Sequence, residues 1–92
     1  WGRVVVLDRA TRAVVWSAPL PDAGAMSVAF SPDGKRLAVG STAVRLFAAA
    51  DGAPGLTLDG HRGAVTALAF SADGKRLASG ATDATAVVWN VE

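Results

Sequence analysis

Apolar and β-branched residues come in runs of five to seven along this chain, and each run stops at Gly, Pro, Asp or Ser. Read in order, the runs predict strands near 3–8, 13–18, 25–30, 36–41, 43–48, 55–58, 64–70, 76–81 and 85–91. Alternation within a run is partial. Val65, Ala67 and Ala69 oppose Thr66, Leu68 and Phe70, so both faces of the predicted sheets are largely apolar. That pattern fits sheets covered on both sides. Alanine is roughly a fifth of the chain and favours helix by propensity. The recurring Gly and Asp leave no room for a long helix, and no helical stripe recurs. The expected fold class is all-β.

The runs also repeat. FSPDGKRLA at 30–38 returns as FSADGKRLA at 70–78, an offset of 40. The match extends back, with Ala25 to Ala29 aligning on Val65 to Ala69, and forward to Gly40 and Gly80. The register then slips by two, so that Ala43 to Phe47 aligns on Thr85 to Trp89. Gly2 to Asp8 is a third copy of that last segment. A fixed period of this length is the mark of a repeat architecture. The chain divides into the end of one repeat (1–20), a complete repeat (21–59) and most of another (60–92). Inside each full repeat, Ser31 to Lys35 and Ser71 to Lys75 predict a tight turn. Asp can bond its own backbone there and Gly accepts positive φ. Pro32 presets the turn, and Ala72 in the second copy still permits it.

Bulk properties narrow the function classes. The 92 residues suit one small domain or part of a larger one, and half of them are hydrophobic. Net charge is +1, which gives no general pull toward nucleic acid or an anionic membrane. There is no Cys, so disulfides and thiolate metal sites are excluded. No apolar run approaches the length of a membrane helix, and no signal peptide opens the chain, which begins at Trp1. A cytoplasmic location is expected.

The pattern resembles the WD-repeat family of β-propellers. Gly60-His61 is followed, after 27 residues, by Trp89-Asn90 in place of the Trp-Asp pair, with VTALAFSADGKRLASGATD and AVVW between them. The first repeat is degenerate: Pro21 stands for His, Phe47-Ala48 stands for Trp-Asp, and two residues around the Asp83 position are missing. The resemblance implies blades of four antiparallel strands, a to d from the axis outward. The strands would run c-d, a-b-c-d, a-b-c, a little over two blades. A propeller needs about four or more blades to close, so other copies of the chain or a longer array would complete the ring. Nine strands are not a multiple of four. The resemblance also implies a buried polar network of His61, Ser79, Asp83 and Trp89. Protein or peptide partners would dock on the d–a and b–c loops, whose candidate residues are Pro21, Asp22, Ser41, Thr42, Asp59, Arg62 and Thr82.

Other chemistries are weaker. His61, Ser79 and Asp83 are the residue types of a hydrolase triad. No G-x-S-x-G elbow surrounds Ser79, and the network occupies the chain's single His. No catalytic, cofactor-binding or metal-binding residue is expected; one His and scattered carboxylates lack ligand spacing, and phosphate-loop motifs are absent. Lys35-Arg36 and Lys75-Arg76 could form a basic rim for phosphates, but the small net charge favours a solubilising role. Trp16, on a predicted outer strand, is expected to pack against a neighbouring blade. The expected function is a non-catalytic scaffold. A purely architectural assembly unit is the main alternative, and nucleic-acid binding is the weaker one.

Overall fold

A computed structural model describes residues 2–7, 11, 13–20 and 27–91. Among them lie nine strands in three antiparallel sheets. The first pairs β1 (Gly2–Leu7) with β2 (Val14–Leu20). The second orders β3 (Ser27–Phe30), β4 (Arg36–Gly40), β5 (Val44–Ala48) and β6 (Pro54–Leu58). The third orders β7 (Val65–Phe70), β8 (Arg76–Ala81) and β9 (Ala86–Asn90). The strands fall within a few residues of the runs read from sequence, in groups of two, four and three. No helix among the described residues is long and apolar enough to cross a membrane.

The repeated phrase closes the β3–β4 and β7–β8 hairpins by the same bonds. Ser31 Oγ donates to Asp33 Oδ1 at 2.6 Å, Lys35 N donates to the same oxygen at 3.0 Å, and Arg36 N donates to Ser31 Oγ at 3.0 Å. Ser71, Asp73, Lys75 and Arg76 repeat this at 2.6, 3.0 and 3.1 Å. Gly34 and Gly74 both sit at φ +73°, where a β-carbon is penalised. The serine hydroxyl, and then the lysine amide, hold each aspartate below its ordinary value. The turn forms alike with Pro32 or Ala72.

Two apolar clusters join the sheets. In the first, Trp16 from β2 packs with Leu37, Val39 and Phe47 of the middle sheet, flanked by Val6 and Ala18. Its ring lies 5.7 Å from that of Phe47, and its Nε1 donates to the Ala49 carbonyl at 2.7 Å. The indole lies flat on the β5–β6 turn: a β-carbon on Gly52 would stand 2.6 Å from Trp16 Cδ2. Trp16 is thus the bridge between the first two sheets.

In the second cluster Ala38, Val44 and Leu46 of the middle sheet meet Val65, Leu77 and Val91, with Leu68, Phe70 and Trp89 against them. Burying a leucine this fully is worth roughly 2 kcal/mol. The sheets come close together at Gly40, where a β-carbon would lie 2.7 Å from Val65 Cγ1. There the backbones bond directly: Val65 N donates to Ser41 O at 2.6 Å, and Ser27 Oγ donates to Val65 O at 3.0 Å. The β4 and β5 strands of the middle sheet are therefore covered on both faces, while Val28 and Phe30 of β3 stay exposed. The outward face of β7–β9 is open among the described residues.

Candidate functional site

The β8–β9 corner gathers Trp89, Ser79, His61, Thr85 and Asp83 into one hydrogen-bonded series. Trp89 sits near the end of β9, and its Nε1 donates to Ser79 Oγ at 2.7 Å. Ser79 Oγ is also 2.7 Å from His61 Nε2. His61 Nδ1 is 3.0 Å from Thr85 Oγ1, and Thr85 Oγ1 donates to Asp83 Oδ1 at 2.6 Å. The directions follow from the two ends. Trp can only donate and a carboxylate can only accept. Thr85 gives its one proton to Asp83, so it accepts from His61 Nδ1–H. The neutral ring then has a bare Nε2, which accepts from the Ser79 hydroxyl. One tautomer satisfies every member.

Local structure places each of these groups. His61 and Arg62 lie in the β6–β7 loop, and Ser79 on the face of β8 that looks into the second cluster. Asp83 and Thr85 lie in the β8–β9 turn. Asp83 clamps that turn to the neighbouring loop. Its Oδ2 accepts from Arg62 N at 2.8 Å, its Oδ1 from Thr85 N at 3.1 Å, and Thr82 Oγ1 accepts from Ala64 N at 3.0 Å. The Thr85 hydroxyl, followed by the Arg62 amide, lowers the Asp83 carboxyl to about 2. His61 also meets the Trp89 ring edge-on at 6.3 Å between centroids.

This arrangement differs from a working triad. The His61 Nδ1 to Asp83 Oδ1 distance is 3.6 Å, with Thr85 carrying the direct bond. Ser79 is 2% exposed, and its oxygen already accepts from Trp89. A nucleophile needs open access and a base free to take its proton. The expected network had omitted Thr85. The two-residue register slip hides it in the sequence, because it aligns Thr85 with the apolar Ala43.

The loop residues separate by exposure. Thr42, Asp59, Arg62 and Thr82 are exposed. Ser41 is 1% exposed, since the two sheets meet at its carbonyl. Pro21 and Asp22 lie outside the described residues. The bond from Val65 to Ser41 ties the 41–43 and 59–64 loops together, and the Asp83 and Thr82 bonds tie the latter to 82–85. One corner of the molecule thus presents three joined loops.

The basic pairs do not act as equals. Arg36 reaches across to the third sheet, where its guanidinium donates to the Val91 carbonyl and, at 2.9 Å, to the Gly74 carbonyl. It also lies 5.9 Å from the centre of the Phe70 ring. Two of its five donors are thus committed across the joint. The sequence reading, which took Arg36 as half of a surface pair, had no means to see this reach across sheets.

The family model described as WD domain, G-beta repeat matches residues 13–50 and 52–90. Each match begins just before or within the stretch leading to the last strand of one sheet and takes in the first three strands of the next: β2 to β5, then β6 to β9. No curated protein matches the chain.

Proposed function

The chain belongs to the WD-repeat family, and from that premise we propose that it is a non-catalytic β-propeller scaffold whose joined loops receive protein or peptide partners. WD repeats generally serve protein–protein interaction. The observation that carries the reading is the contrast at one corner. The nucleophile-like and base-like groups are buried and mutually satisfied, while Thr42, Asp59, Arg62 and Thr82 beside them are exposed. Loops held on a rigid sheet scaffold are favourable places for recognition. The bonds from Asp83, Thr82 and Ser41 hold these loops before any partner arrives, which lowers the ordering cost of binding.

The test is affinity capture with quantitative comparison of what is retained. Wild type is set against an Asp59→Lys/Arg62→Glu variant, which reverses both loop charges and touches no buried group. Loss of the wild-type partners supports the reading. An unchanged set of partners sinks it.

A second reading, an architectural unit that completes its ring with further copies or as part of a longer array, is favoured by a separate observation. Val28, Phe30 and Val88 are 60%, 58% and 68% exposed on sheet faces. Val28 and Phe30 lie together on β3 and Val88 on β9 of another sheet, so two separate sheet faces carry large open apolar side chains that mark interaction surfaces. The two readings are compatible, because the loops and the open sheet faces are different parts of the molecule.

A further inference from the structure

The chain carries both halves of a sheet-to-sheet joint that it also contains in assembled form. The assembled form lies between the second and third sheets. Ala29, Ala38 and Gly40 line one face of the middle sheet, and Leu68, Phe70 and Leu77 fill the space that those small residues leave. Arg36 fastens the joint to the Val91 and Gly74 carbonyls.

At the 40-residue offset, Ala29, Ala38 and Gly40 become Ala69, Ala78 and Gly80. These, with Ala67, form the outward face of β7 and β8, where Ala67, Ala69 and Ala78 are exposed. Arg36 becomes Arg76, which is also exposed. Leu68 and Phe70 become Val28 and Phe30, exposed on β3. They share their face with Leu37 and Val39, which Trp16 covers. Among the described residues, the first sheet leaves the β3 half of that face bare.

Resting on the reading of this chain as a self-associating WD-repeat unit, we propose that a second copy seats its Val28 and Phe30 in the socket formed by Ala67, Ala69, Ala78 and Gly80. Arg76 then reaches the second copy's Gly34 carbonyl and lies over its Phe30 ring, as Arg36 does with Gly74 and Phe70. A second copy is the occupant because the two exposed halves belong to the same chain and match the halves of the joint inside it; β9 of one copy and β1 of the other are copies of one strand, so one of the two gives way when the joint forms. The contact is head to tail. Each copy uses its socket on one neighbour and its Phe30 on the other, so assembly proceeds to a ring if the rotation closes.

Solution mass by light scattering across a wide concentration range tests this. Wild type is expected at a multiple of one chain. Phe30→Asp and Ala78→Arg, both at exposed positions, are each expected to fall to the mass of one chain. Mixed in equal amounts, they should give a two-chain species, since each keeps the half that the other has lost. Arg76→Met should weaken association about tenfold. Circular dichroism and the unfolding midpoint verify that each variant is folded. A one-chain mass for wild type overturns the proposal. So does assembly retained in both single variants, or two folded variants that fail to combine. The Asp59→Lys/Arg62→Glu variant should keep the wild-type mass, so loss of loop partners and loss of assembly are read separately.

Discussion

The β4–β5 corner and the β8–β9 corner occupy the same place in successive repeats and are filled by opposite chemistry. In the middle sheet Val39, Ala43 and Phe47 are buried and apolar. In the third sheet Ser79, Thr85 and Trp89 stand at those positions, and His61 and Asp83 complete a polar series. The first corner is sealed from outside by Trp16, an indole borrowed from the neighbouring sheet. The second is sealed from within. A fully satisfied polar set and a well-packed apolar set can be close in free energy, whereas a half-converted one leaves buried groups unpaired. The comparison therefore predicts that either corner tolerates wholesale exchange better than a single substitution.

Removing the seal should have the largest effect. Trp16→Ala is expected to cost about 4 kcal/mol, read as a lower urea midpoint; a loss below about 1 kcal/mol would mean the apolar corner holds without its neighbour. Ser79→Val, which imports the middle-sheet residue, leaves the Trp89 N–H and His61 Nε2 unpaired and should cost about 3 kcal/mol. The reverse change, Val39→Ser, buries a hydroxyl with no imidazole beside it and should cost about 2 kcal/mol by the same measurement. If both exchanges were neutral, the polar series would contribute nothing that packing does not.

Smaller effects sharpen the turn. Ala84 sits at φ +66°, in the left-handed region that disfavours a β-carbon. Ala84→Gly should stabilise by up to about 1 kcal/mol in thermal unfolding. The Asp83 carboxyl is lowered from 3.8 to about 2 in the fold. A depressed carboxyl contributes stability that is complete above its unfolded value and lost as pH falls toward the folded one. Asp83→Asn should therefore flatten the acid limb of the stability curve between about 4 and 2. Asp33 and Asp73, lowered in their own turns, keep theirs. An unchanged acid limb would remove Asp83 from the account.

Much of this fold was legible because its punctuation is local. Ser31, Asp33 and Gly34 make a turn with bonds that span five residues, so the turn can be read from the phrase alone. His61, Ser79 and Trp89 were legible only through the family resemblance, since nothing local announces that they meet. Thr85 was hidden by the two-residue slip, and the burial of Ser41 was not legible because loop composition does not reveal that Gly40 lets two sheets touch there. Arg36 looked like surface charge. Its role depends on which carbonyls lie across the joint, and that is decided by packing.

The polar series has one further property. Most buried hydroxyl networks can be satisfied in more than one way, with protons flipping in concert between equivalent arrangements. Here a pure donor stands at one end and a pure acceptor at the other, so every O–H and N–H between Trp89 and Asp83 has a single allowed direction. The network retains no proton-ordering entropy, and its bond dipoles add from β9 to the turn. The positive ends point at the Asp83 carboxylate, so the corner is electrically polarised by construction.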